Sequence, residues 1–235
     1  MGRQAILCLV TVLTVLVGTS NAEPLTLHPT RDTGISGHPR EAEYNNGRGT
    51  RLRTAALQGG DPGFVLIDFD RGALAAFLER HGDDVSAKLV LHVRQVQGGA
   101  ATIEVGALDS ASDWNEGRGA FSQAQEGEAT ARMAQHGLES WTTPDGREVD
   151  TFRDLFYDPA TGEVNMVLNS STIEVKEADR LKTVEIELDR ELLAHMANSE
   201  HCRGLVLFHR TEGVKADVFS REQRGREPKL VVTAE

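Results

Sequence analysis

Lys88-Leu89-Val90-Leu91-His92-Val93-Arg94 decides the fold class. Leu89, Leu91 and Val93 fall on one side of an extended chain while Lys88, His92 and Arg94 fall on the other, a period of two that no helix turns into a single apolar face. The pattern predicts a half-buried β-strand with a wet outer face. Thr183 to Leu188 repeats it, with Val184, Ile186 and Leu188 inward. Further strands are expected over Phe64 to Phe69, Ala101 to Ala107, Val164 to Leu168, Thr172 to Val175, Gly204 to His209, Lys215 to Ser220 and Lys229 to Thr233. Asp61-Pro62-Gly63, Pro144-Asp145-Gly146 and Asp158-Pro159-Ala160-Thr161-Gly162 supply turn chemistry between them. Only Arg71 to Glu79 and Asp189 to Ala197 read as helices, both short and amphipathic. The expected fold is therefore all-β, a jelly-roll-like β-sandwich with two short helices covering its ends.

Upstream of the first strand, Arg3 precedes an apolar run from Ala5 to Val17 and the small-residue site Ser20-Asn21-Ala22. That order is the signature of an export signal over residues 1–22, and the run falls short of the ~20 apolar residues that span a bilayer. Residues 23–235 are expected to form a single domain, secreted to the periplasm or the extracellular space and free of the membrane once the signal is cleaved. Cys8 leaves with the signal, so Cys202 has no internal disulfide partner and stability has to come from an ordinary core. With 36 Asp and Glu against 25 Lys and Arg, the formal net charge of −11 repels nucleic acid and anionic lipid surfaces.

The stretch from Asp109 to His136 is polar and carries Gly117, Gly119 and Gly127, as expected of a long excursion between strands. Recognition usually lives in such loops. Sugar rings stack on exposed aromatic faces while polar side chains take their hydroxyls, and Trp114 beside Asp113, Glu116 and Arg118, with Trp141 further on, has the composition of such a site. The competing expectation is that Trp114 plugs the end of the sandwich. Asp32, Asn45 and Asn46 could supply hard oxygens to a structural Ca2+. Asp68 and Asp70 are expected to be solvated on the outer face of a strand whose Val65, Ile67 and Phe69 point inward. Arg221, beside the core residue Phe219, needs a carboxylate or carbonyl partner. No metalloprotease His-Glu-x-x-His, nucleophile elbow or phosphate loop occurs, and Cys202 at the start of an apolar strand reads as a small core residue.

Taken in order, Arg31-Asp32-Thr33-Gly34-Ile35-Ser36, Asn45-Asn46-Gly47 with Leu52-Arg53, Leu66-Ile67-Asp68-Phe69-Asp70, Ala87-Lys88-Leu89-Val90-Leu91, Trp114-Asn115-Glu116-Gly117 and Phe219-Ser220-Arg221-Glu222 resemble the DNRLRE domain family, which is similar to carbohydrate-binding module family 96. The resemblance runs from about Leu27 to Val232. It implies a jelly roll in secreted bacterial proteins that bind polysaccharide, often beside other modules. The segment from Thr151 to Asp189 has no counterpart in it. The expected function is non-catalytic polysaccharide binding, with secreted enzymes or surface components as further partners. A structural or adhesive protein that binds no glycan is the second expectation, and a small glycan-degrading enzyme on the same fold the third.

Overall fold

The computed structural model describes residues 23–82 and 84–234. The expected export signal lies outside them. Eleven strands make one curled antiparallel sheet, and strand accounts for 41% of the structure against 13% helix. The strands are β1 (Leu25–Leu27), β2 (Arg31–Ser36), β3 (Arg51–Ala55), β4 (Gly63–Asp68), β5 (Val85–Gln97) and β6 (Ala101–Asp109). They continue with β7 (Ile173–Val175), β8 (Thr183–Leu188), β9 (Cys202–Phe208), β10 (Lys215–Phe219) and β11 (Lys229–Ala234). Their order is β1-β11-β5-β10-β3-β4-β9-β6-β7, with β8 added on β5 and β2 on β4.

Two features fold this sheet onto itself. β3 and β4 touch through a single pair, Ala55 with Gly63, so the sheet turns a corner there. β5 is long enough to serve two neighbourhoods: its first half sets Leu89 opposite Leu230 of β11 and Ile186 of β8, and its second half sets Val96 opposite Ala216 of β10. The alternation read from Lys88 to Arg94 therefore decides both pairings. Inward residues of both halves, among them Val65, Ile67, Leu89, Leu91, Ile103, Val105, Leu205, Val218 and Leu230, form one closed apolar core. The all-β, sandwich-like expectation holds.

The helices also fall where composition puts them, α1 at Arg71–His81 and α2 at Arg190–Asn198. They pack on each other and send Leu74, Phe77, Leu192, Leu193 and Met196 into the core. Asp70 is the N-cap of α1, its Oδ1 accepting the Ala73 N–H at 2.9 Å, which satisfies one of the helix's orphan donors. Asp68 is not solvated as expected. It is buried, and its Oδ2 accepts Arg31 Nε at 3.1 Å and Nη2 at 2.8 Å.

The largest departure from expectation concerns the other face of β4. Phe64 and Leu66 are as buried as Val65 and Ile67, because a second layer lies over the outside of this half of the sheet. That layer is the polar excursion after β6, together with the segment that begins at Thr151. Trp114, Ala129, Ala131, Trp141, Phe152 and Phe156 descend from it onto Ile35, Phe64, Leu66, Val206 and Phe208. A 3-10 turn, Phe152–Leu155, presents Phe152 to Phe64 at 5.1 Å and to Trp141 at 4.9 Å between ring centroids. Such tilted and edge-on contacts are the arrangements that ring quadrupoles favour. The long excursion is thus a cover with its own aromatic core, and the segment from Thr151 to Tyr157 is part of it. Between Val164 and Leu168 the expected strand shrinks to Glu163–Val164 and a single bridge from Leu168 to Gly106.

Candidate functional site

Both tryptophans belong to this cover. Trp114 is 1% exposed and Trp141 0% exposed, so neither indole has a free face on which a sugar could stack. Trp114 donates from Nε1 to the Arg203 carbonyl at 2.8 Å, and the Arg31 guanidinium lies 4.2 Å over its ring. Trp141 donates to the Thr130 carbonyl at 2.9 Å. The expected binding set therefore disperses. Asp113 is exposed and pairs with Arg31 at 2.8 Å, the side chain of Arg118 is exposed, and Glu116 turns the other way, into a cluster beneath the chain's own C-terminal turn.

Of the expected calcium ligands, Asn45 has its oxygen engaged by the protein, whereas Asp32 Oδ1 is buried without a hydrogen-bond partner. Asn45 is buried at the centre of four hydrogen bonds: its Nδ2 donates to the carbonyls of Glu116 at 2.7 Å and Ala129 at 3.0 Å, and its Oδ1 accepts from Gly47 N at 3.0 Å and Gly119 N at 2.9 Å. It pins the cover to the sandwich. Gly47 is required beside it, since a Cβ there would sit 2.1 Å from the Glu116 carbonyl oxygen. Asn46 donates to the Arg51 carbonyl at 2.6 Å. Among the described residues no group of three or more His, Cys, Asp or Glu is placed to hold a metal.

Asp32 stands at the meeting of three distant segments. Its backbone N–H donates to Glu116 Oε1 at 2.9 Å, and its Oδ2 accepts the Arg221 N–H at 2.6 Å. Arg221 Nε closes the triangle at 2.8 Å from Glu116 Oε1, and its Nη1 donates to the Thr30 carbonyl. The partner that Arg221 needs is thus a carboxylate and a carbonyl together. Asp32 is 0% exposed, and burial pushes its carboxyl up to about 7. Burial likewise raises Glu116, against the lowering effect of the Asp32 N–H and Arg221.

A groove with a cavity volume of about 90 Å3 opens between β2 and the β3–β10 pair. Arg51, Arg53, Lys215 and His38 line it, with Glu41 and Asp61. Arg53 is held rigid by Asp217, with Nε to Oδ1 at 2.6 Å and Nη2 to Oδ2 at 3.1 Å. At the lip stands Phe121, which composition alone did not single out. It is 41% exposed, and its backbone has φ 61°, a region a bulky residue avoids unless its surroundings hold it there. Those surroundings are a two-residue ladder, Tyr44–Asn45 against Ser122–Gln123, and the Tyr44 ring edge-on at 5.6 Å. The Gly117–Gly119 stretch that precedes Phe121 was the only signal of unusual backbone in its neighbourhood.

Three further groups are engaged within the fold. Cys202 is buried and its thiol is pushed up to about 11 by desolvation, which leaves no thiolate to act as a nucleophile at neutral pH. His195 is half-buried with Nε2 at 2.8 and 2.9 Å from the two Asp109 oxygens. Asn169 is buried and donates to the carbonyls of Ser171 at 2.7 Å and Glu187 at 2.8 Å. Compared with protein-family models the chain matches none, and compared with curated proteins it likewise finds no match.

Proposed function

We propose that the chain is a non-catalytic, secreted polysaccharide-binding module whose site is the Phe121 groove. The observation that carries this is a large aromatic side chain held exposed, at a strained backbone angle, over a groove lined by fixed polar groups. The ring offers an apolar face to a sugar ring, and Arg51, Arg53, Lys215 and His38 offer donors to its hydroxyl and carboxylate oxygens. Glu41 and Asp61 in the lining and Asp217 against Arg53 offset Arg51, Arg53 and Lys215, so the groove suits a neutral glycan as well as an acidic one. The resemblance to the DNRLRE family supports the same ligand class, and the inert Cys202 supports a module without a thiol nucleophile.

Isothermal titration calorimetry against neutral and uronic-acid-bearing oligosaccharides tests the proposal. Phe121→Ala is expected to weaken binding at least roughly tenfold, the effect of removing one central aromatic contact. It should leave the melting temperature within about 2 °C, because the ring is exposed. Failure of every glycan to bind the wild type would favour a structural or adhesive protein. Release of shortened products would make it an enzyme.

A further inference from the structure

The segment that follows β2 serves two cavities. Ser36, His38 and Glu41 line the Phe121 groove, whereas Gly37, Pro39 and Ala42 line a second cavity of about 170 Å3, and Pro62 borders both. Gly37 donates to the Pro62 carbonyl at 2.7 Å, and a Cβ on Gly37 would meet the Pro62 ring at 2.5 Å, so the partition between the two is tightly packed. The floor of the second cavity is apolar. Phe64, Phe152 and Ala131 are buried there, with the two ring centroids 5.1 Å apart and the Phe152 N–H bonded to the Ala131 carbonyl at 2.7 Å. Pro39, Gly60 and Arg132 are exposed and form its mouth. An apolar cavity of ~150 Å3 takes up one benzene ring, so a body of that size fits here.

Two arginines, Arg132 and Arg153, enter the lining, and no carboxylate does. Asp154 turns back on Thr151, its Oδ2 accepting the Thr151 N–H at 3.1 Å and the hydroxyl at 2.7 Å, while Glu41 and Asp61 line the groove beyond the partition. Four half-buried arginines elsewhere in the fold each meet a carboxylate: Arg31 with Asp68 at 2.8 Å, Arg53 with Asp217 at 2.6 Å, Arg210 with Glu104 at 2.9 Å and Arg221 with Glu116 at 2.8 Å. Arg153 differs from them. It too is half-buried, but its guanidinium lies 5.6 Å over the Tyr157 ring, and its Nε is closed off from water with no hydrogen-bond partner. A buried cationic N–H without an acceptor is costly, so a group that brings oxygen to it is favoured.

We infer that this cavity is a second binding site, for a small organic oxyanion. An apolar body about the size of one ring lies over the Phe64–Phe152 floor, and a carboxylate or phosphate head meets Arg132 and Arg153. The planar fork of a guanidinium matches the oxygens of either head, and a neutral head would leave both cations unmet. The inference does not depend on glycan binding. The partition separates this site from Phe121, and the chemistry differs as well: the groove sets Glu41 and Asp61 among its cations, whereas here two arginines stand with no acid in the lining.

Calorimetric titration of the chain with benzoate, phenyl phosphate and benzyl alcohol tests the inference. The expected result is saturable binding of at least one of the two anions, with benzyl alcohol at least roughly tenfold weaker because its neutral head forgoes the charge-assisted bonds. The tighter anion identifies the head. Arg153→Gln is expected to weaken that binding at least roughly tenfold, and Arg132→Gln to weaken it as well. Arg132 is at the exposed mouth, so its variant keeps the test open should Arg153→Gln fail to fold. Phe121→Ala is expected to bind the anion as the wild type does. No saturation by either anion up to about 10 mM overturns the inference, as does benzyl alcohol binding equally well. Unchanged affinity in either arginine variant that folds overturns it too. Loss of anion binding in Phe121→Ala would place the anion in the groove and equally refute a second site.

Discussion

Trp114→Ala is expected to lower the stability of the fold by about 3–5 kcal/mol, read as a fall in the urea midpoint with little change in slope. The indole is 1% exposed and belongs to the layer that covers the outside of β4 and β9. Truncation leaves a cavity where the neighbouring backbone, pinned by Asn45 on one side and by Arg203 on the other, has little freedom to collapse. It also leaves the Arg203 carbonyl without the Nε1–H donor and the Arg31 guanidinium without the ring beneath it. A surface tryptophan used only for stacking sugars would behave oppositely, with stability within about 0.5 kcal/mol of the wild type. A small change in midpoint would therefore contradict the packing described for the cover.

Asn45→Ala is the second large effect, expected at about 3 kcal/mol or more by the same measurement. The side chain satisfies two N–H groups, of Gly47 and Gly119, and two carbonyls, of Glu116 and Ala129. Each buried group left without a partner costs about 1–3 kcal/mol, and alanine reaches none of them. Because two of those groups, at Glu116 and Gly119, belong to the loop that leads into Phe121, the variant should also weaken the proposed groove binding. Asn45→Asp does not rescue it, since a carboxylate keeps the acceptor but cannot donate to the two carbonyls. A loss below about 1 kcal/mol would mean that the cover is held elsewhere.

How far the sequence reaches depends on what kind of signal each element emits. Period-two alternation located β5, β8 and β11 to within a few residues, because one face of each is wet and the contrast is strong. It misjudged β4, whose Phe64 and Leu66 are buried as deeply as Val65 and Ile67. An apolar run of this kind says that both faces are covered without saying by what. The cover itself escaped because its segments bury aromatic residues through turns and 3-10 geometry, with neither period to betray them. Trp114 then read equally as a ligand contact or as a plug for the end of the sandwich, since a tryptophan among Asp, Glu and Gly has the same composition in a binding loop as in a packed one, and the structure buries it.

The polar residues show the same limit. Asn45 and Asp32 were expected to offer oxygens to a Ca2+, whereas the protein partners they have come from far along the chain, Gly119 and Ala129 for one and Arg221 for the other. Only tertiary structure brings Trp114-Asn115-Glu116-Gly117 against Phe219-Ser220-Arg221-Glu222, where Glu116 pairs with Arg221. The groove was illegible for a related reason. Its aromatic is defined by a backbone angle and its cations by the outer faces of β3 and β10, and neither is local in sequence.

The central claim is that recognition rests on Phe121 while the tryptophans hold the cover in place. Calorimetric titration of one bound oligosaccharide into wild type, Phe121→Ala and Trp114→Phe, each checked to be folded, tests it most directly. Unchanged affinity in Trp114→Phe with a loss of at least roughly tenfold in Phe121→Ala is the predicted result. Full affinity in Phe121→Ala, with the loss in Trp114→Phe instead, would contradict it.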